Sequence, residues 1–439
     1  MGWGGYYAWD PVENAALMPW LAATAFLHSV MVQERKGMLK VWNMVLVALA
    51  FELSVFGTFL TRSGVVNSIH SFATSSIGPW FLAFVVISSV FALALIMWRL
   101  PLPKAKTKLE SALSREAAFL YNNLLLVAFC LTILWGVLFP ILSQAVRGTP
   151  YTVSRPYYDF FLRSFGLPLL LLMGIGPLVA WRRSSLRALG KTFLIPAAVA
   201  LAAGAALVAA GAGSSRPGLI AYTFSAFVAA SIALEFVRGT RARRSLGDRN
   251  LLVAFLSLIG RNRRRYGGYL VHAAVLLLAI GVAGSSAYQS EREGRLAAGQ
   301  SLTIAGYQLA YRGLTTQRSQ NAIEQRAHFQ VSRDGQPLGQ LAPGQNTYFP
   351  NPGLFSKEVA IRHNWLTGED LYLVADQINK DGSVYYKVWV KPLVNFIWLG
   401  GFVFVFGSLV AMWPDALEQR RLAARYTRVA ARPAEAAGT

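Results

Sequence analysis

Five histidines occur in the 439 residues. Two of them, His28 and His272, fall inside apolar runs long enough to cross a bilayer, where an imidazole is costly unless it bonds or ligates. At 1.5 Å per residue, a helix over 14–33 carries His28 to a depth on the order of 21 Å from its first residue, and one over 269–286 carries His272 roughly 5 Å from its own start. With spans that alternate in direction, both imidazoles land in the same third of a ~30 Å apolar core. Two imidazoles at one depth can ligate one haem iron from both faces; each can instead hydrogen-bond a neighbouring helix.

The remaining candidates cluster at the opposite face. His70 stands in TRSGVVNSIHSFATSSIGP, on the same side as the opening segment GWGGYYAWDPVEN. In that segment Trp3, Tyr6, Tyr7 and Trp9 lead into Asp10-Pro11, and flat rings at this density can sandwich a planar macrocycle. Isolated aromatics at helix ends otherwise form an interfacial belt. Arg62 stands where it can pair with a haem propionate or snorkel to the surface. Glu52, mid-span, either handles a proton or hydrogen-bonds another helix, because an ionised carboxylate there costs at least ~2.5 kcal/mol. His328 and His363 read as ordinary surface or turn histidines.

The elements that must position these residues follow from composition. The chain is 54% hydrophobic and 14% charged with a mean hydropathy of +0.40, against about a quarter charged in soluble proteins. Nine apolar stretches are long enough to span: 14–33, 41–60, 80–98, 118–140, 162–181, 194–212, 218–237, 269–286 and 393–413. Loops 34–40, 99–117, 182–193 and 238–268 with the tail 414–439 carry 26 Lys and Arg, whereas 61–79, 143–161 and 213–217 carry 4. Positive residues resist translocation, so the first set is expected in the cytoplasm and Met1 outside. The net charge of +21 thus reports topology and gives no reason to invoke nucleic acid; lipid is the expected surrounding.

The predicted architecture is an all-α polytopic membrane protein of about nine transmembrane helices with a small external antiparallel β domain. Residues 1–286 form the helical region, with the aromatic segment at 2–14 and the external loop at 61–79. Residues 287–392 form the β domain, 393–413 the last helix and 414–439 a basic cytoplasmic tail. Within the β domain, 301–313, 326–341, 358–363, 370–377 and 383–392 alternate apolar and polar residues, and Asp334-Gly335 and Asp381-Gly382 mark turns. The stretch 251–260 is too short to span and reads as an interfacial or packed helix. Cys130, the single cysteine, excludes a disulfide framework or a CxxC pair. No secretory signal opens the chain.

GWGGYYAWDPVENAALMPWL resembles the tryptophan-rich WWD signature of the haem-handling membrane proteins of cytochrome c biogenesis. TAFLHS, FGTFLTRSGVVNSIHSFA, NRRRYGGYLVHAAVLLLAIGVAGSS and KPLVNFIWLGG resemble, in that order, the CcmF-type branch, and the likeness runs from residue 2 to about 413. The resemblance implies a cytochrome c haem lyase subunit of the inner membrane. Such a protein takes haem from a periplasmic haem chaperone and, with a thiol-handling partner subunit, joins its vinyl groups to the CxxCH cysteines of apocytochrome c. It implies a transferred haem at 2–14 with His70 as an external axial ligand, and a membrane-embedded bis-histidine haem b on His28 and His272. It also implies further spans upstream carrying the opposite external ligand, so the chain is expected to be a fragment, a mis-called start or a split-gene product, inactive without that part. Tyr6 and Tyr7 stand where the family has at least one tryptophan, and Glu52 where a small polar residue is expected.

Two other functions compete with this expectation. A haem-delivery module without ligase activity would share the aromatic segment but lack the β domain and the second membrane histidine. A transporter of hydrophobic solutes would leave the aromatic segment unexplained.

Overall fold

The computed structural model describes residues 5–66, 68, 76–99, 109–181, 185–247, 250–349, 355–414, 419–420 and 423–424. Contacts divide the chain into two compact units, one over Trp3–Leu194 and the other over Ile195–Thr439 with Met1–Gly2. Among the described residues, nine helices are long and apolar enough to cross a membrane. Every expected span is matched by one of them.

The first unit contains α1 (Pro11–Lys36), α2 (Lys40–Ser63), α3 (Gly78–Arg99), α4 (Arg115–Arg147) and α5 (Arg155–Ile175). Helix α1 starts where Asp10 caps it and Glu13 closes a capping box, with Pro11 supplying a preset φ at the first helical position. It ends at Gly37 in the left-handed conformation. Ala15, Met18, Leu21, Ala22, Ala25 and Val32 form its buried stripe. All of these but Val32 share a core with Leu46, Leu53 and Leu60 of α2 and with Leu126, Phe129, Ile133 and Val137 of α4. Helix α3 buries only Gly78, which suits a helix whose apolar side chains meet lipid. It is tied to α2 by Ser88 and Ser89, whose hydroxyls each donate to Glu52 Oε2 at 3.0 Å. Glu52 is thus engaged in the interhelical hydrogen bond weighed for it above.

Helix α6 (Leu186–Ala209) leads into the second unit, which holds α7 (Arg216–Ser245), the short α8 (Leu251–Arg261), α9 (Arg263–Ala287) and α10 (Asn395–Met412). Helices α9 and α10 form a hairpin whose backbones approach closely. A Cβ on Gly267 would lie 2.5 Å from Ala411 N, and one on Gly407 2.9 Å from Val271 N. Lipid tails offer no hydrophobic drive for helix pairing, so small residues that permit such contact hold the pair together.

Between α9 and α10 the described residues form nine strands: β1 (Ser290–Leu296), β2 (Ser301–Ile304), β3 (Tyr307–Arg318), β4 (Ala322–Arg333), β5 (Gln336–Leu341), β6 (Gly344–Tyr348), β7 (Phe355–Asn364), β8 (Glu369–Ile378) and β9 (Val384–Lys391). Their order is β1-β9-β8-β7-β6-β4-β3-β2, with β5 on β4. All pairs are antiparallel. The sheet curls on itself: Arg292 of β1 donates to the Thr303 carbonyl of β2 at 2.7 Å. Leu309, Tyr311, Phe329, Leu371, Leu373 and Val388 share one core. Strands β1 and β6 lie outside the five expected stretches. SEREGRL exposes five of its seven residues and GQNTY has no apolar run, so neither shows the alternation that marks a strand. His328 and His363 stand on β4 and β7 and not in turns. The expected short helix at 251–260 is α8.

Candidate functional site

The aromatic segment is a built turn. Trp9 adopts a left-handed backbone, φ 60°, which is uncommon for a bulky residue and persists only where surrounding bonds hold it. Asn14, fully buried one turn into α1, supplies two of those bonds: its Nδ2 donates to the Trp9 carbonyl at 3.1 Å, and its Oδ1 accepts from the Tyr7 hydroxyl at 2.9 Å. Glu13 Oε2 accepts from the Ala8 amide at 2.8 Å. The Trp9 indole stacks on Tyr158 of α5, centroids 4.9 Å apart and 8° from parallel, while its Nε1 donates to Asp159 Oδ1 at 3.1 Å. Tyr7 meets the Trp9 ring edge-on at 5.1 Å. Tyr158 has room beside α4 because residue 136 is glycine: a Cβ there would lie 2.5 Å from the Tyr158 hydroxyl.

Two further features complete this end. Ser68 donates to Asp10 Oδ1 at 2.6 Å, fastening the segment after α2 to the α1 cap. Asp159 also lines an open groove of about 600 Å³ on α5 with Pro156, Phe160, Arg163 and Ser164. Burial, reinforced by Glu13, Tyr158 and Asp10, raises the Tyr7 hydroxyl well above the ordinary phenol range, so it remains a donor. Tyr6 projects outward, 41% exposed.

Near the other end of α1, His28 donates from Nδ1 to the Thr24 carbonyl at 2.8 Å. A carbonyl only accepts, so Nδ1 carries a hydrogen, and Nε2 is the nitrogen that a neutral ring would offer to an axial iron. The ring lies 5.8 Å from Phe119 of α4, which lies 5.8 Å from Trp181. The guanidinium of Arg35 sits 4.3 Å over Trp181. Lys36 reaches Glu110 and Glu116, each at 3.0 Å.

His272 is half-buried on α9 in the other unit. Three residues earlier, Tyr269 donates to Glu235 Oε2 of α7 at 3.0 Å, and Arg265 bonds the same oxygen at 2.5 Å. This clamp joins α7 to α9 ahead of the imidazole.

The structure therefore brings Tyr7, Trp9 and Asp10 into one turn. Arg62 is exposed near the end of α2. Trp3, His70 and most of 414–439 lie outside the described residues. Sequence reasoning missed Asn14, Tyr158 and Asp159. Asn14 carried a signal in hindsight, a polar residue one turn into an apolar helix; the α5 pair carried none, being 150 residues from Trp9.

Residues 1–70 match the family described as Cytochrome C assembly protein, and residues 287–392 match the CcmF C-terminal beta-sandwich. The cytochrome c-type biogenesis protein CycK of Bradyrhizobium diazoefficiens is 34% identical over 94% of this chain and 61% of its own length. CcmF of Pseudomonas aeruginosa is 34% identical over 98% of this chain and 63% of its own. A solved cytochrome c heme lyase CcmF superposes with a TM-score of 0.72 at 29% identity, covering 94% of this chain and 61% of that one. Over most of its length the chain is thus similar to the CcmF-type proteins of cytochrome c biogenesis. It spans about three fifths of the length of these relatives. It is a multi-pass membrane protein, built from apolar helices and a C-terminal antiparallel β domain.

Proposed function

We propose that this chain is the haem-holding membrane part of a cytochrome c haem lyase. The similarity to the solved heme lyase CcmF over 94% of the chain carries the reading. In this reading the turn of Tyr6, Tyr7, Trp9 and Asp10, with Trp3, receives haem from a periplasmic chaperone. His70 is an axial ligand of that haem, and Arg62 pairs with a propionate. His28 and His272 hold a resident haem b, which would supply one-electron chemistry when bound. The Nδ1–Thr24 bond of His28 fits that group. The protein lies in the inner membrane with Met1 outside, the β domain at 287–392 periplasmic and Thr439 inside.

Thioether formation adds a cysteine S–H across a vinyl C=C. An S–C and a C–H bond replace the S–H and the π bond, and no external oxidant or reductant enters that step. Two thiols must meet two vinyls of a haem held in one orientation, so the protein's contribution would be positioning, worth roughly 7–11 kcal/mol in favourable cases. The apocytochrome and a thiol-handling subunit bring the thiols.

Purified protein should show the sharp reduced bands of bis-histidine haem. An unchanged spectrum in both His28→Ala and His272→Ala would sink the assignment. Ligation is scored separately, as covalent haem on a CxxCH reporter in a lyase-deficient strain that also supplies the remainder of a CcmF relative as a second polypeptide. Haem bound without covalent product would favour a delivery module.

A further inference from the structure

The β7–β8 connection presents two large apolar side chains to the outside: Trp365 is 82% exposed and Leu366 99%. The turn that carries them is rigidly built. Asn364 Oδ1 accepts from the Leu366 amide at 3.0 Å and the Thr367 amide at 3.4 Å. The edge of Trp365 packs on His363 with centroids 4.4 Å apart, and His363 is itself held by Asp370. Ordered exposure of this kind in a β domain calls for a partner.

The topology identifies that partner. Asp370 pairs with Lys391 at the end of β9, and Ser290 of β1 pairs with Val390. Helix α9 ends at Ala287 and α10 begins at Asn395, so both apolar helices leave the sheet at the end where the turn lies. The turn also touches α10 directly: the Asn395 amide donates to the Gly368 carbonyl at 3.4 Å, and Asn395 Nδ2 to the Trp365 carbonyl at 3.4 Å. Helix α10 has 18 residues, about 27 Å at 1.5 Å per residue, slightly less than the ~30 Å apolar core. To span, it must use its whole length, which sets Asn395 at the boundary between headgroups and hydrocarbon. A turn bonded to Asn395 sits at that same boundary, where a tryptophan ring is favoured.

We propose that the 364–368 turn is a membrane-interface wedge, with Trp365 at headgroup level and Leu366 entering the acyl-chain region, so that the β domain is seated on the bilayer at a second point beside its two helical tethers. The occupant is lipid.

The test places a nitroxide label at Leu366→Cys on a Cys130→Ala background, in the full chain reconstituted into phosphatidylcholine–phosphatidylglycerol vesicles. Leu366 is almost fully exposed, so labelling there leaves the core untouched. Lys380→Cys in the β8–β9 turn, exposed at the opposite end of that hairpin from the Asp370–Lys391 pair, serves as the aqueous reference and Phe402→Cys on α10 as the lipid reference. Collision with oxygen relative to a water-soluble nickel chelate should be severalfold higher at 366 than at 380, approaching the value at 402. A ratio at 366 equal to that at 380 would overturn the proposal. A label immobilised and shielded from both reagents would overturn it too, assigning the turn to a protein partner or a second copy of this chain.

Discussion

His28 on α1 and His363 in the β domain both commit Nδ1 to a fixed acceptor, yet the consequences differ. His28 bonds its own helix at Thr24, and the ring it presents in the apolar span meets Phe119. His363 is held by Asp370; its Nε2 is buried, makes no hydrogen bond among the described residues, and is accompanied by the edge of Trp365. One arrangement ties the ring to its own helix inside an apolar span, and the other props a turn. The same hydrogen-bonding device therefore does not identify a ligand; the role depends on what surrounds the second nitrogen.

The sharpest way to break this comparison is spectroscopic. His28→Ala should abolish the low-spin haem bands or convert them to high-spin, and His363→Ala and His328→Ala should leave them intact. Haem loss in His363→Ala with retention in His28→Ala would reverse the two roles.

A second contrast sets the solvents of the two regions against each other. Phe329 is fully buried in the β core, while Phe91 on α3 is 64% exposed toward the expected lipid. Phe329→Ala should cost the β domain about 3–5 kcal/mol through lost burial and a residual cavity. Phe91→Ala should be close to neutral, because lipid is as apolar as the side chain removed. Denaturant titration of each variant in micelles, read by proteolysis, separates them; equal losses would mean that Phe91 faces protein.

A smaller effect is expected at the aromatic turn. Asp159→Ala removes the acceptor of the Trp9 indole, where a typical hydrogen bond contributes about 0.5–1.5 kcal/mol. Haem affinity at the turn should fall by about tenfold or less, while the Trp9–Tyr158 stack remains. Titration with haem on a His28→Ala background isolates that site, and unchanged affinity would disconnect Asp159 from it.

How much of this was legible in the sequence varied with the kind of interaction. The nine spans were readable because length and hydropathy alone decide whether a helix can cross. Alternation exposed β3, β4, β8 and β9, whose inward residues reach one core. Strand β1 was not readable, since Ser290–Leu296 is placed by its ladder with β9 rather than by burial of its own side chains. The aromatic segment was legible as a cluster of rings. Its geometry was not, because Trp9 is oriented by Tyr158 and Asp159, and only the packing of α5 near α1 brings those residues together.

The weakest expected effect bears on the β domain alone. Asp376 of β8 accepts from Lys357 of β7 at 2.5 Å and lies 3.5 Å from Lys387 of β9. The Lys357 hydrogen bond, with the charges of both lysines, holds its carboxyl below the usual value of 3.8. A depressed folded pKa contributes stability that is fully present above the unfolded value and is lost as pH falls through the folded one. The β domain should therefore weaken below about pH 4 and not on the alkaline side. The carboxylate is partly exposed and screened by water, so the loss should be under about 1 kcal/mol. Asp376→Asn should flatten the acid limb of the stability curve by that amount while leaving the α1 site's haem spectrum unchanged. An acid limb of undiminished slope in that variant would assign the pH dependence to other carboxylates of the sheet, with Asp381 beside Arg295 the next to change.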